Sequence, residues 1–420
     1  MNNRKMWRGG IVAALACAAV GLGAERVHAE HHSEDRPISQ PAQCFATDAV
    51  FQLPTGIIQS NKGNLLVAES GTPIANSGRI SIVDLAGNRR TLLAGLPSGI
   101  SDVGTPNGPS GLAMMGRTLY IAIGTGDTGR NGALPNTSIP NPAGPPSSPI
   151  LSSVLAMHFS ANVEKTTTGF ALTLDDHAAL LSGRTVHLSD STGGRITIDL
   201  VAKLPDYTAN PLPAFPGNVD LTNPFALVAV GSERAPQLYV TDGGQNAVWQ
   251  VDAATGAFWK LVVFPDIPNP LFPAVGGPFE EAVPTGIAYA GGRLLVTLFS
   301  GVPFAPGTSS VAAVELTGAH RPLLAGLKTA IGVLPIDDDN ERRDRDRDDD
   351  DTGYLVLQNA SIGPFFNSPG VVLRFEIPDQ PPSVVANCLA RPTAMTLDDR
   401  SGILYVVDLA GHLVAIPGQR

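Results

Sequence analysis

A short unit that recurs six times along the chain constrains its fold more than any other sequence feature. Each copy begins with Pro, one variable residue, Gly or Ala and an apolar residue, and a turn then leads into a strand of the Leu-Tyr-Val type. The copies begin at Pro54, Pro109, Pro224, Pro284, Ala330 and Pro392. The fifth copy, Ala330-Ile331-Gly332-Val333, has lost the proline. The fold is therefore expected to consist of equivalent supersecondary units.

Further apolar runs follow each copy at similar offsets and supply third and fourth strands. Four strands in each of six units predict an all-β fold, a six-bladed β-propeller. One such sheet cannot bury both of its apolar faces alone, whereas sheets packed around an axis bury one another. The last unit lacks a fourth strand, while a spare strand at residues 46–53 precedes the first unit. We predict that this N-terminal strand joins the last blade and closes the ring.

The chain divides into a predicted leader, a tail and the propeller. Residues 1–29 combine a basic start, an apolar run and a Val27-His28-Ala29 end, which is the pattern of a cleaved signal peptide. Residues 30–44 are expected to be a flexible tail, and residues 45–420 form the propeller. Two insertions interrupt its period: residues about 160–200, expected to add hairpins to blade two, and the acidic segment 337–352, expected to be disordered.

Charge and hydropathy exclude several kinds of partner. Removing residues 1–29 takes away four basic residues and one acidic residue, so the net charge falls from −10 to −13. An acidic chain without a basic patch is a poor nucleic-acid ligand, because phosphate contacts dominate such binding. After the leader no apolar run is long enough to span a membrane. We expect a monomer that is secreted or periplasmic.

Two cysteines remain after the leader, Cys44 and Cys388. Export would permit a disulfide that ties the two ends of the domain together, and the alternative is two buried thiols. We favour the disulfide, because the blade assignment places both cysteines in outer strands of neighbouring blades.

Carboxylates at the ends of second strands are the candidate metal ligands. Glu69, Asp242 and Asp408 end the second strands of blades one, three and six, and Asn223 lies beside them. Around the axis they could bind calcium, which takes six to eight oxygen ligands. The alternative is that these acidic residues cap neighbouring turns. In gluconolactonase-like propellers metal ligands follow the proline of several blades, and here that position holds Thr55, Ser110, Phe225, Thr285, Ile331 and Thr393. None of these residues is a good calcium or zinc ligand, which argues against a lactonase-type metal centre.

The repeat units are similar to NHL-type propellers, and in detail the chain resembles the ScyD/ScyE family of exported propellers. The segments that carry the resemblance are residues 206–211, 219–224, 240–246, 283–287 and 299–307. The most specific of them is Gly-Val-Pro-Phe-Ala-Pro-Gly at residues 301–307. The resemblance covers about 45–420 and implies a propeller fold and export, but no established activity or catalytic residues. The chain departs from the family pattern in both insertions and in blade five.

These observations favour a binding or scaffold protein without catalytic residues. One propeller face, shaped by the blade-two insertion and by loops such as residues 299–307, is expected to dock a small molecule or a partner protein. No cofactor is expected, with calcium as the alternative. The competing hypothesis is a metal-assisted hydrolase or lactonase that uses Glu69, Asp242, Asp408 and Asn223. Asp175, Asp176, His177 and His187, in the first insertion, are expected to lie in a solvated loop.

Overall fold

The computed structural model of the protein describes residues 41, 44–134, 136–336 and 353–419. Six antiparallel sheets form an all-β, six-bladed propeller, as predicted. The strands of blade one, from the axis outward, are Pro54–Gln59, Leu65–Glu69, Gly78–Val83 and Arg89–Leu96. Those of blade two are Pro109–Met115, Thr118–Ile123, Ser153–Phe159, Arg195–Lys203 and Val186–Ser189. Those of blade three are Pro224–Ser232, Ala235–Asp242, Ala247–Asp252 and Phe258–Val263.

The remaining blades repeat the same order. Blade four contains Pro284–Ala290, Arg293–Leu298, Ser309–Glu315 and His320–Leu327. Blade five contains Ala330–Ile336, Gly353–Gln358, Gly370–Phe375 and Ser383–Leu389. Blade six contains Pro392–Asp398, Ile403–Asp408, His412–Ile416 and, as its outer strand, Phe45–Val50. This outer strand pairs antiparallel with His412–Ile416, so the predicted closure of the ring by the N-terminal strand is confirmed.

The core is divided among the six interfaces between adjacent blades, with one cluster of buried apolar side chains at each. Successive side chains of a strand point to opposite faces of its sheet. In blade one, Leu66 therefore joins the cluster shared with blade two, and Val67 joins the cluster shared with blade six. Both side chains are completely buried. Each second strand thus stabilises two interfaces, which explains the continuous apolar runs in the repeat.

Hydrogen bonds from the innermost strands join each blade to the next. The hydroxyl after the strand-initiating proline donates to a carbonyl in the first strand of the following blade. These bonds are Thr55 Oγ1 to Pro109 O, Ser110 Oγ to Pro224 O, Thr285 Oγ1 to Ala330 O and Thr393 Oγ1 to Pro54 O. The residue after the hydroxyl must be small, because a Cβ on Gly56 would lie 1.9 Å from the carbonyl oxygen of Ser110. The repeated Pro-Thr-Gly motif is therefore a blade-to-blade contact.

Blades three and five lack that hydroxyl and use other donors. Phe225 and Ile331 occupy the position after the strand-initiating residue in these blades. In blade three, Thr241 Oγ1 on the second strand donates to Thr285 O of blade four. In blade five, Asn359 Nδ2 donates to Pro392 O at 2.8 Å. Each of the six blades therefore donates a side-chain hydrogen bond to its neighbour.

The first insertion forms a predicted hairpin in blade two, but it also contains elements that were not predicted. Arg195–Lys203 is the fourth strand of blade two, and Val186–Ser189 adds a fifth. Phe170–Ala171 pairs in parallel with the outer strand of blade one, so the insertion lies along the outer edges of both blades. Val163–Thr166 and Leu174–Leu181 are helices, the second with a Thr173–Asp176 capping box. The prediction of a solvated loop is wrong for His177, which is completely buried and bonds Ser148 and the carbonyl of Gly95.

Three predictions fall outside the described part of the chain. They are the signal peptide at residues 1–29, most of the flexible tail at residues 30–44, and the disordered acidic segment 337–352. Among the described residues, no helix has the length and apolar character needed to cross a lipid bilayer.

We expect Thr393→Val to destabilise the ring at the junction of blades six and one. The Thr393 hydroxyl donates to Pro54 O at 2.8 Å, and valine of similar shape would leave that buried carbonyl without this donor. Loss of such a bond costs about 1–3 kcal/mol in the free energy of unfolding, which urea titration would measure. The control is Thr317→Val at an exposed turn, and equal stability of the two variants would contradict this role of Thr393.

Cys44 and Cys388 lie in positions that allow the predicted disulfide, with Cα atoms 6.4 Å apart across a sequence separation of 344. Cys388 is in the outer strand of blade five, and Cys44 immediately precedes the strand that closes blade six. We expect the Cys44→Ser/Cys388→Ser variant to lose about 2–4 kcal/mol of unfolding free energy, because the cross-link restricts the unfolded chain. Reduced wild-type protein should match the variant. Free thiols at both positions in non-reduced protein would contradict the pairing.

Candidate functional site

One face of the propeller carries most of the ordered loops. We call it the loop face; here the second strand of each blade ends and the first strand of the next blade begins. All four two-stranded ladders of the described chain lie in these loops. They are Gly99–Ile100 with Pro106–Asn107, Gly129–Asn131 with Ser138–Pro140, Tyr207–Ala209 with Val219–Leu221, and Ile267–Pro268 with Phe279–Glu280. Loops on a rigid scaffold are the usual location of binding sites.

The loop face exposes many large apolar side chains. Among the described residues, the exposed ones on this face are Ile74, Val103, Leu134, Tyr207, Leu212, Phe272, Phe279, Val302, Ile362 and Phe365. The turns and strand ends at the opposite face expose Phe45, Leu85, Tyr289, Leu316 and Ile377. Ile74 is 73% exposed and Phe279 is 57% exposed, so these residues contribute little to the core. Apolar surface concentrated on one face is typical of an interaction site.

An aromatic cluster holds the loops of blades four and five together. Phe304 lies 5.8 Å from Phe299 and 4.4 Å from Phe366, measured between ring centroids. The guanidinium of Arg391 lies 3.9 Å from the centroid of Phe366, within cation–π range. Lys328 Nζ donates to the carbonyls of Phe304 and Phe365. The segment 299–307, predicted to shape a binding face, is therefore an ordered part of the loop face.

The residues immediately before four of the first strands adopt strained backbone conformations. Leu53, Val283, Thr329 and Arg391 directly precede these strands and have φ values between 44° and 60°. Positive φ is costly for β-branched residues such as Val283 and Thr329. Their carbonyls nevertheless each accept the backbone N–H that follows a second strand, for example Phe299 N to Val283 O at 3.0 Å. The loop face is thus fixed by backbone bonds in conformations that an isolated chain would avoid.

Glu281 lies among the loops that connect blades three and four, next to segment 299–307. Its carbonyl accepts the N–H of Gly301 at 2.8 Å, and a Cβ on Gly301 would lie 2.9 Å from the nitrogen of Glu281. The residue is exposed at the edge of the surrounding loops, which remove part of the hydration of its side chain. This desolvation, followed by repulsion from Asp220, Asp266 and Asp102, raises the pKa of Glu281 from 4.5 to about 7. Carboxylates from three different blade connections therefore create a negative region, which we call the acidic centre.

The predicted metal ligands Asp242 and Asn223 lie next to each other, but their side chains already form hydrogen bonds with other groups of the protein. Asp242 Oδ1 accepts the backbone N–H groups of Asn223, Gly244 and Gln245, while Oδ2 accepts Trp249 Nε1 at 2.8 Å. Burial raises the pKa of Asp242 to about 6, and these donors oppose the shift. Asn223 Oδ1 accepts from Asn107 Nδ2 at 3.1 Å. Asp242 thus caps the turn that follows the second strand of blade three and binds Asn223 at the entry to that blade.

Glu69 and Asp408 have similar local partners. Glu69 is completely buried, binds Arg89 at 2.7 Å and accepts the backbone N–H of Gln52. Asp408 accepts both the backbone N–H and the ring Nδ1 of His412. Within the part of the chain that the structure describes, no three His, Cys, Asp or Glu side chains form a group able to hold a metal. These contacts correspond to the turn-capping alternative considered from the sequence.

Sequence reasoning did not identify Glu281 as a candidate. It directly follows Glu280 and lies three residues before Pro284, where the fourth repeat begins, a position with no motif. Asp266 lies in the same connection between blades as Glu281, but Asp102 and Asp220 come from the two preceding connections, far away in the sequence. A sequence pattern within one segment cannot reveal a site whose residues come from three different connections between blades.

No known protein family matches the chain, and no curated protein matches it. Solved structures with a similar fold include the PQQ-bound aldose sugar dehydrogenase of Streptomyces coelicolor, at 13% identity and TM-score 0.45, covering 90% of this chain and 99% of that one. A sialidase of Trypanosoma rangeli matches at 12% and 0.45, over 88% and 55%. Virginiamycin B lyase of Staphylococcus aureus matches at 11% and 0.40, over 90% and 98%. Similarities of this size carry no argument about function.

The raised pKa of Glu281 predicts a specific pH dependence of stability. The side chain of Glu281 contributes its full share to folding stability below its unfolded pKa of 4.5. This contribution is lost as pH rises through its folded pKa of about 7. Glu281→Gln should therefore melt a few degrees above wild type at alkaline pH and at nearly the same temperature in acid. Glu233→Gln, at an exposed turn of the opposite face, controls for loss of one negative charge. A constant difference between wild type and Glu281→Gln at every pH would contradict the assignment.

Proposed function

We propose that the protein is a non-catalytic binding protein whose loop face docks a basic segment of a partner protein that also carries apolar side chains. The observation that carries this proposal is the combination of the acidic centre with exposed apolar residues on the same ordered face. The apolar side chains come from loops of several blades, so the surface suits an extended partner better than a small molecule.

Charge complementarity supports the choice of a basic partner. Asp220, Asp266 and Asp102 repel the ionised carboxylate of Glu281, so a cation placed beside it would favour its charged form. Lysine or arginine side chains of a partner would relieve that repulsion, and the flanking apolar residues would supply desolvated contact area. Val103 follows Asp102 directly, and Phe279 lies two residues before Glu281, so both kinds of contact are close in the loops.

The family and the location of the protein belong to the same proposal. Membership of the ScyD/ScyE family rests on segments such as 240–246 and 301–307, several of which lie in the loop face. Export as a secreted or periplasmic protein rests on the signal-peptide pattern of residues 1–29. A calcium-dependent hydrolase is not favoured, because the side chains of Glu69, Asp242 and Asp408 bind groups of the protein itself.

Synthetic peptides test this proposal directly. A labelled peptide that alternates lysine and leucine should bind the full-length protein, as followed by fluorescence anisotropy, and high salt should weaken the complex. Replacing its lysines with glutamate, or its leucines with serine, should abolish binding. The protein variant Phe272→Ser/Phe279→Ser should bind the peptide about tenfold more weakly, because aromatic anchors dominate interfaces. Glu281→Gln should weaken it several-fold.

The opposite face provides the matched control. Leu85→Ser/Leu316→Ser also removes two exposed apolar residues, but from turns of that face, and should leave affinity unchanged. Equal binding of the glutamate peptide, or equal loss in both double variants, would overturn the proposal. A protein dimer that dissociates in Phe272→Ser/Phe279→Ser, without peptide binding by wild type, would show that a second copy covers the loop face instead.

A further inference from the structure

A cavity opens between blades two and three, away from the axial cavity that the first strands of all six blades enclose. We call it the lateral cavity. It has a volume of about 310 Å³ and lies near the face opposite the loop face. The second, third and fourth strands of blade two line one side, and the turn of residues 253–256 in blade three lines the other. This volume is at the lower end of the range for small-molecule sites, roughly 300–1,000 Å³, and has room for about ten water molecules.

The floor of the lateral cavity is a row of three residues across blade two. Ala156 pairs with Tyr120 of the second strand on one side and with Asp199 of the fourth strand on the other. Blades three and six have corresponding rows that also contain tyrosine, which are Tyr239–Gln250–Trp259 and Tyr405–Ala415–Phe45. Both of those rows end in an aromatic ring on the fourth strand. Of the three rows, only that of blade two combines a small central residue with a carboxylate at the outer end.

Tyr120 supplies a hydroxyl group at the inner end of this row. The residue is only 6% exposed, and its ring belongs to the apolar cluster between blades two and three. It lines the lateral cavity, and its hydroxyl has no hydrogen-bond partner among the described residues. Desolvation raises the pKa of Tyr120, so the hydroxyl stays protonated. Because a tyrosine buried to this extent normally has a partner for its O–H, the hydroxyl is available to a bound molecule.

Asp199 and His158 form the outer rim of the lateral cavity, where their side chains are 41% and 46% exposed. Asp199 Oδ2 lies 3.3 Å from His158 Nε2, and Asp199 Oδ1 accepts Thr185 Oγ1 at 2.5 Å. Thr118 Oγ1 lies 2.9 Å from the other ring nitrogen of His158. Neighbouring hydroxyl groups therefore hold both side chains in place. Each carboxylate oxygen of Asp199 still has a lone pair for a further donor.

The wall of the lateral cavity has one permanent charge, which is negative. Among the described residues that line it, Asp199 is the one carboxylate and there is no lysine or arginine. A neutral His158 that accepts from Thr118 donates its Nε2–H to Asp199, so it stabilises the carboxylate without cancelling its charge. Alanine and glycine occupy positions 156, 253, 254 and 256, where they leave peptide groups close to the cavity surface. These walls suit a cation that also carries hydroxyl groups.

The turn of blade three is fixed before anything binds. Gly256 has a φ of 74°, and a Cβ on this residue would lie 2.6 Å from the carbonyl oxygen of Val201 in blade two. Asp252 Oδ1 accepts the backbone N–H groups of Ala254 and Thr255 at 2.9 and 3.0 Å. The turn is therefore held both by its own hydrogen bonds and by contact with blade two. A small molecule would not have to order this wall on binding.

We infer that the lateral cavity binds a small organic ammonium compound that also carries hydroxyl groups. The ammonium group pairs with Asp199, and a hydroxyl group of the compound bonds the hydroxyl of Tyr120. Hydrogen bonds to an ionised group are roughly twice as strong as those between neutral groups, so Asp199 provides most of the affinity. The lateral cavity and the acidic centre lie near opposite faces, and either site can be present without the other.

Glucamine, an alkylammonium compound with a chain of hydroxyl groups, is a suitable probe of this site. An NMR titration of the full-length protein should show saturable binding of one glucamine molecule per chain. Sorbitol, which has a hydroxyl in place of the ammonium group, should bind at least about tenfold more weakly. Butylammonium, which lacks the hydroxyl groups, should bind several-fold more weakly than glucamine. Absence of glucamine binding, or equal affinities for glucamine and sorbitol, would overturn the inference.

Conservative substitutions locate the bound glucamine. Asp199→Asn removes the charge but keeps an oxygen for Thr185, and should lower affinity at least about tenfold. Asp175→Asn, at an exposed position of the same insertion, controls for the loss of one negative charge. Tyr120→Phe removes only the hydroxyl and should weaken binding several-fold, whereas Tyr405→Phe at the corresponding position of blade six should bind normally. Circular dichroism and melting temperature identify any variant that fails to fold.

Variants of the loop face separate this inference from the proposed function. Glu281→Gln and Phe272→Ser/Phe279→Ser should bind glucamine as tightly as wild type, although both bind the peptide more weakly. Loss of glucamine binding in Glu281→Gln, or full affinity in Asp199→Asn, would place glucamine elsewhere and overturn the inference. Stoichiometric zinc binding that Asp199→Asn abolishes, without glucamine binding, would make Asp199 and His158 metal ligands and would also overturn it. Loss of peptide binding alone would affect only the proposed function.

Discussion

The side-chain hydrogen bond from each blade to a carbonyl in the first strand of the next is the contact on which the rest of the structure depends. It fixes the spacing between first strands, and that spacing sets the width of the axial cavity. Because each sheet is held at both of its faces, the alternate residues of its second strand become buried in two separate interfaces. The ring is closed when Thr393 reaches Pro54 and the N-terminal strand completes blade six.

The sequence predicts the propeller because these contacts require the same residue types in most blades. Proline begins a strand without leaving an unpaired donor, threonine or serine supplies the bond, and glycine permits the close approach. The same repetition allowed the closing strand to be predicted, because the last blade lacks a fourth strand and one unassigned strand precedes the first blade. The carboxylates at second-strand ends were harder to interpret. A buried acid that caps a turn and an acid that binds metal require the same residue at the same place, and only the partners around Asp242 distinguish them.

Other features could not be predicted because they depend on contacts between distant segments. Arg195–Lys203 completes blade two only after a long excursion past blade one, so its place in the repeat was hidden. The helix Leu174–Leu181 has a local signal, since Thr173 and Asp176 form a capping box. The burial of His177 has none, because it depends on Gly95 and Ser148. Glu281 is the extreme case: its pKa is raised by desolvation and then by repulsion from carboxylates that three loops bring together.

Blades three and five show how the ring accommodates variation. Each has lost the hydroxyl that defines the contact, yet the blade-to-blade bond persists because Thr241 or Asn359 donates from a different element. Phe225 and Ile331, which stand in place of the small polar residue, line the axial cavity. The replacement changes the cavity wall while the spacing of the strands is retained. The loops of the loop face differ from blade to blade in a similar way, because each loop begins and ends at positions that backbone hydrogen bonds hold fixed. The loop-face site therefore lies where side chains can change without loosening the ring.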